Sequence, residues 1–324
     1  MKFVLSAVLA FGLSAGMTAV PGVADAQAAS IRAASCFPEG SFFSRRFESV
    51  IADLQAAGLD ITYVGGAPAI GSPFTLVQKM SRGAFDLVNC TGAYYGNVLP
   101  EADALKMFEM SPADARKNGA FDYVADLHRE KNLEYLGRIH SAEAFHLYLA
   151  EGKAIDKPDL TGLNLRTAPI YRAFFESLGA TTQRSNLAQI YTYMENGTVA
   201  GYGWPVTGLL PDWHKVTSYR VDPGFYQADI NVLFNGRSWA KLTDEQKATM
   251  TKIVTAWENK GYEAGQADSK KAMTAQNEQG IKPIKFGAED EAKWAKQARD
   301  AAWASIIEAS PKHGEKLREL LSAK

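Results

Sequence analysis

Residues 60–90, DITYVGGAPAIGSPFTLVQKMSRGAFDLVNC, decide the fold class. The stretch opens on a β-branched run at 60–64, turns through GGAPAIG, and closes on the strand-like FDLVNC at 85–90. Between the two runs Ser72 suits a helix N-cap, Pro73 a first helical turn, and Gly83 a helix stop. Upstream, IRAASC at 31–36 reads as another strand, broken by Pro38 and Gly40. Phe43, Phe47, Val50, Ile51 and Leu54 then share one helical face, with Gly58 placed to end it. Strand, helix, strand, helix, strand implies right-handed parallel crossovers, so this half is an α/β unit.

Two apolar strands, 133–139 and 144–149, lead away from that unit, and a second α/β unit begins at Leu160. LNLRT at 163–167 forms a strand, Pro169 to Leu178 a helix, and Gly179 its stop. Asn186 caps a further helix ending near Gly197, and Val199 to Tyr202 resume an extended form. DINVLFN at 229–235 is a strand that returns to the first unit. From 243 to 279 one long helix is expected: Thr243 and Gln246 form a capping box, and Met250, Ile253, Val254 and Trp257 follow at helical spacing. At 1.5 Å per residue it spans roughly 50 Å, more than one domain is wide, so it braces both. Few apolar positions follow Tyr262, which puts its second half on a surface.

Lys2, an uncharged run from Phe3 to Val20 and the A-x-A pairs at Ala24/Ala26 or Ala26/Ala28 read as a signal peptide over residues 1–28. The expected mature chain is soluble and periplasmic, with no membrane insertion, since no later apolar stretch approaches the roughly 18 residues of a span. Acidic and basic residues nearly cancel (36 against 35), which argues against nucleic acid or an anionic membrane as partner. The two cysteines, Cys36 and Cys90, are too few for a four-ligand zinc site. They end the first and third strands of one parallel unit, neighbours in the common doubly wound order, and so are disulfide candidates. Two buried free thiols are the alternative.

Catalytic patterns are missing. GGAPAIG has Ser72-Pro73 where a phosphate loop needs Lys and Ser/Thr, and its adjacent glycines do not make a dinucleotide fingerprint. The five histidines show no H-x-x-x-H pattern, and there is no G-x-S-x-G elbow. No cofactor, metal or catalytic residue is expected. Arg166 in LTGLNLRTAP remains, near the C-terminal end of a strand, where open α/β sheets bind ligands. A guanidinium there can hold a carboxylate through two parallel hydrogen bonds. An ordinary surface Arg at a strand end is the other reading.

The chain resembles the extracytoplasmic solute receptors of tripartite ATP-independent periplasmic (TRAP) transporters, of the dicarboxylate- and sialic-acid-receptor type. The resemblance rests on the signal and early strand-helix, on GGAPAIGSPFTLVQKMSRGAFDL, on DLTGLNLRTAPIYRAFFESLGATTQ with QIYTYMENGTVAGYGWP, and on the long helix after LTDEQ. It implies an α/β periplasmic binding protein of venus-flytrap form, with two α/β domains, crossing strands and one long bracing helix. The domains would be 29–143 with about 228–262, and 144–227 with about 263–324. It also implies that Arg166 binds the carboxylate of a small organic acid, and that the partner is an inner-membrane TRAP permease driven by an ion gradient.

The departures from the family pattern bear on the ligand. Ala200-Gly201, then Tyr202, Gly203 and Trp204, stand where many members carry polar residues, and a second cleft Arg of some members falls at His146 by spacing. Tyr94 and Tyr95 follow the third strand in a turn that should face the cleft, and Asp229 heads the returning strand. The expected ligand site is therefore Arg166, Trp204, Tyr94, Tyr95, His146, Tyr202 and Asp229, suited to an aromatic or hydrophobic acid. A periplasmic sensor, a hydrolase or isomerase on a binding-protein fold, and an ATP-driven uptake receptor are the competing readings.

Overall fold

The structure, a computed structural model, describes residues 30–185 and 187–322. The expected signal segment 1–28 and the Asn186 cap lie outside the described residues. The strands are β1 (Ile31–Ser35), β2 (Ile61–Gly66), β3 (Leu87–Thr91), β4 (Leu133–His140), β5 (Phe145–Leu149) and β6 (Asn164–Thr167). They continue with β7 (Thr181–Arg184), β8 (Gly201–Pro205), β9 (Tyr219–Asp222), β10 (Ile230–Asn235) and β11 (Lys282–Lys285).

One sheet has the order β2-β1-β3-β10-β4, the other β11-β9-β5-β8-β6-β7. The helix-linked strands β1, β2 and β3 run parallel, as their crossovers require, while β10 enters antiparallel between β3 and β4. β3 and β10 are buried along their whole length, so their unbroken apolar runs fit the centre of a sheet covered on both faces. Two segments cross between the sheets, 141–144 after β4 and 223–229 before β10. Two α/β domains joined by crossing strands are the architecture read from the sequence.

The third connection is the helix Asp244–Glu278, 35 residues long, opened by the expected capping box. Gln246 N donates to Thr243 Oγ1 at 3.2 Å, and Thr243 N to Gln246 Oε1 at 2.9 Å. Its first half is tied to the first domain: Trp257 Nε1 donates to Asp53, and Glu258 pairs with Arg116 at 2.7 Å. Its far end belongs to the second: Gln276 donates to Val206 O at 2.7 Å and accepts from Arg220 at 2.8 Å. Gly261 and Gly265 let the helix lie directly on the backbone beside β4, since a Cβ at either would fall 2.1 Å from Ile139 O or Ser141 O. None of the helices among the described residues is long and apolar enough to cross a membrane.

Local expectations need correction at two places. Ser72 makes no side-chain cap; a 3-10 turn Pro73–Thr75 precedes the helix Leu76–Ser81, and Thr75 Oγ1 donates to Ser72 O. The C-terminal segment does not all pack with the second domain. The helix Gly314–Leu321 rests on the first, where Glu109 N donates to Leu321 O and Asn118 Nδ2 to Leu320 O. It also packs on the helix Ala288–Ala309, where a Cβ on Gly314 would fall 2.7 Å from Ile307 Cα.

Candidate functional site

The carboxyl ends of β1, β3, β6 and β8 and the start of β10 converge between the domains on a narrow cavity of about 30 Å³. Its lining includes Phe37, Phe43, Tyr94, Phe145, Arg166, Tyr171, Trp204 and Asp229. Cys36 and Cys90 form a disulfide with Cα atoms 5.1 Å apart, closing the ends of the paired neighbours β1 and β3. Two wall residues, Phe37 and Thr91, directly follow the two cysteines, so the bridge holds one rim of the cavity.

Arg166 comes from β6 and is 2% exposed. Its partners are neutral: Nη1 donates to Tyr171 Oη at 2.6 Å, Nη2 to Ser185 O at 2.6 Å and Nε to Ser185 Oγ at 3.3 Å. No ion pair of Arg166 is found among the described residues. A guanidinium has five N–H donors, so one on each Nη is left over, the pair that grips a carboxylate end-on. Tyr171 is fixed in turn by donating to Gly203 O at 2.7 Å. Burial raises the Tyr171 phenol while the Arg166 charge opposes the shift, so the hydroxyl keeps its proton.

Asp229 faces the same cavity from the first domain. It accepts from Gly92 N at 2.7 Å, Thr91 Oγ1 at 2.8 Å and Asn231 Nδ2 at 3.0 Å. Burial pushes its carboxyl up to about 6, against the pull of those three hydrogen bonds. Tyr94 responds to both charges: burial raises its phenol, Arg166 lowers it and Asp229 raises it again. The Tyr94 ring sits 4.7 Å from Phe74 and 6.0 Å from Phe37. Trp204 donates Nε1 to Gly208 O at 3.1 Å and packs its ring 5.1 Å from Trp213 and 6.2 Å from Phe43. Among the described residues of the lining, Arg166 is the only cation and Asp229 the only carboxylate.

Arg166, Trp204, Tyr94 and Asp229 are thus brought together; Tyr95, His146 and Tyr202 are not. Tyr95 turns into the core of the first domain, where its hydroxyl meets His128 Nε2 at 3.0 Å. Burial lowers His128 to about 4, and its Nδ1 donates to Val124 O, so Nε2 accepts from Tyr95. His146 follows Phe145, which lines the cavity; alternation along β5 sends the histidine to the opposite face, where Nδ1 donates to Val221 O at 2.8 Å. Tyr202 shares a face with Trp204 but lies about 7 Å deeper along β8, stacked on Tyr148 at 5.3 Å and bonded to Thr217. Sequence reasoning missed Phe37, Phe43, Phe145, Tyr171 and Ser185. The position of Phe37 just past a strand end was the available signal; Ser185, nineteen residues beyond Arg166, carried none.

Residues 67–309 match the family described as bacterial extracellular solute-binding protein, family 7. Among curated proteins, the uncharacterized protein y4mM of Sinorhizobium fredii (strain NBRC 101917 / NGR234) is 22% identical over 233 residues. That match takes in 70% of this chain, which spans only 40% of the relative's length. Three similar solved structures are low in identity but close in fold. A TRAP periplasmic solute binding protein from Rhodoferax ferrireducens with bound malonate is 17% identical, with a TM-score of 0.76 over 90% of this chain and 96% of that one. One from Desulfovibrio salexigens with bound orotic acid is 16% identical, with a TM-score of 0.77 over 90% and 97%. DctP6 of Bordetella pertussis, an extracytoplasmic solute receptor binding pyroglutamic acid, is 12% identical, with a TM-score of 0.78 over 90% and 99%.

Proposed function

The chain belongs to family 7 of the bacterial extracellular solute-binding proteins, and from that membership we propose that it captures a small organic acid between its two domains and delivers it to a TRAP permease. The observation that carries this reading is the buried fork of Arg166, held by neutral partners and open on one side to the cavity. A buried cation without a counter-ion is costly, and a carboxylate seated on the fork removes that cost. Arg suits the task better than Lys because its planar fork matches the carboxylate and stays protonated.

The rest of the lining narrows the ligand. With one cation and aromatic walls from Phe37, Phe43, Tyr94, Phe145 and Trp204, the cavity favours one carboxylate on an apolar or planar body. A second carboxylate would approach Asp229 and be repelled, whereas an N–H or O–H on the ligand would find an acceptor there. The three solved relatives bind malonate, orotic acid and pyroglutamic acid; the last two, planar or compact and bearing N–H groups, fit this lining better than the first. The moving units we infer are 29–143 with about 228–262, and 144–227 with about 263–309. Residues 1–28 act as a signal that sends the chain to the periplasm, and no catalytic step is assigned.

Mass spectrometry of small molecules released from natively purified protein, followed by thermal-shift titration of organic acids, tests the reading. A ligand at 100 times its Kd stabilises by about 2.7 kcal/mol, enough to see. A monocarboxylate is expected, and Arg166→Lys should weaken it at least tenfold, about 1.4 kcal/mol. Equal affinity in wild type and Arg166→Lys would remove the basis of the assignment.

A further inference from the structure

A second cavity, about 350 Å³, lies on the other side of the crossing segments, against the bracing helix. Its walls come from both domains: Phe108 and Arg138 from the first, Ser141 from the crossing, His146 and Val206 from the second, and Ser269 from the helix. Arg138 is 1% exposed, and its Nη2 has no hydrogen-bond partner. Its guanidinium lies 3.7 Å from the centroid of the Phe108 ring, which presents a π face and no acceptor. Among the described residues it makes no ion pair. The nearby carboxylate Glu258 is engaged by Arg116 and by the backbone N of Arg138, and Glu109 also lines the cavity. Ser141 Oγ, 2% exposed, is likewise without a partner, as is Gln227 Oε1.

We propose that this hinge cavity is a second anion site, which takes a small oxyanion on the Arg138 fork with Ser141 Oγ donating to it. Arg138 resembles Arg166 in physical terms: a buried guanidinium whose neighbours satisfy its shape and leave its charge uncompensated. Here the cation is held flat by an aromatic face, which is a recurrent way to keep a guanidinium fork aimed outward. The hydroxyl of Ser141 can rotate to donate, and the Gln227 amide can turn either end toward the site. His146 lines the cavity with its Nδ1 committed to Val221 O and facing Asp222 at 3.0 Å. The site does not depend on the identity of the cleft ligand, because no residue lines both cavities.

The probe is inorganic sulfate in the low millimolar range, with ionic strength held constant by chloride and with no organic acid present. Thermal stability is followed for wild type, Arg138→Met, Ser141→Ala and Arg166→Met. Sulfate should stabilise wild type and Arg166→Met in a saturable way. The apparent affinity should fall at least tenfold in Arg138→Met and severalfold in Ser141→Ala, which keeps the buried cation and so guards against a variant that fails to fold. Selenate soaked into crystals of the wild type should give an anomalous peak within hydrogen-bond distance of Arg138. No saturable effect in wild type, an effect unchanged in Ser141→Ala and Arg138→Met, or an anomalous peak only at Arg166 would each overturn the hinge site. The last result would leave the cleft reading intact, and loss of the cleft ligand alone in Arg166→Met would leave the hinge site intact.

Discussion

Reducing the Cys36–Cys90 bridge should cost about 4 kcal/mol of stability. The cysteines are 54 residues apart, so the bond closes a long loop in the unfolded chain. In the chain-entropy model a loop of that length loses about 14 cal/mol/K, which is about 4 kcal/mol at 25 °C. The native state contributes little to offset this, because β1 and β3 are hydrogen-bonded neighbours whether or not the sulfurs are joined. Both cysteines are buried, so the comparison should be made between oxidised and reduced wild type, which keep the same packing atoms. Urea unfolding monitored by circular dichroism reads the difference; the reduced form should show a lower midpoint and a larger m, since its denatured state exposes more surface. The rim residues Phe37 and Thr91 adjoin the cysteines, so ligand affinity should weaken in the same samples. Two reactive thiols in unreduced, unfolded protein would refute the bridge. A loss under about 1 kcal/mol with unchanged m would refute the loop-entropy account.

Three other outcomes are expected. Asp229 titrates at about 6 in the folded state, above the usual 3.8, so the native form holds the extra proton between those values. Its contribution therefore favours folding as pH falls through that window and opposes it above, by about 3 kcal/mol in all; stability curves of wild type and Asp229→Asn should converge or cross between pH 4 and 7, and parallel curves would contradict the assignment. Gly265→Ala would put a Cβ 2.1 Å from Ser141 O and should destabilise by about 1–3 kcal/mol in thermal unfolding; a neutral result would mean that the helix stands further off. Tyr171→Phe removes both the acceptor of Arg166 Nη1 and the donor to Gly203 O, so ligand affinity should drop about tenfold, and Trp204→Ala should weaken an aromatic acid more than acetate; calorimetry showing equal losses for the two acids would rule out an aromatic contact.

What was legible in the sequence had local causes. The helix Asp244–Glu278 announced itself through its capping box and the spacing of Met250, Val254 and Trp257. Strands β1 to β5 carried apolar runs long enough to read, whereas β7 and β11, largely exposed and polar (TTQR, KPIK), held no pattern to distinguish them from loops. The antiparallel entry of β10 between β3 and β4 was out of reach, because it depends on pairing between strands far apart in sequence and not on any local preference. In the site, Arg166 was readable from its place at a strand end. Tyr94 could not be told from Tyr95, because one residue of rotation in a turn decides between cavity and core. Counting back from Arg166 led to His146, yet side-chain alternation gives that place in the cleft to Phe145.

The two glycines that seat the bracing helix on the backbone also set how motion is transmitted. Close contact at Gly261 and Gly265 forbids sliding, and just beyond them Asp268 pairs with Arg46 of the first domain at 2.9 Å, so the helix is clamped to that domain as far as Asp268, while its last ten residues, Ser269 to Glu278, run on toward the second. That arm is about 15 Å long. A tilt of about 20° at the clamp would swing its tip, which grips Val206, through about 5 Å, whereas residues near the pivot would scarcely shift. A small rotation between the domains is thereby geared up into a displacement on the outside of the molecule, on a scale that another protein's surface can register.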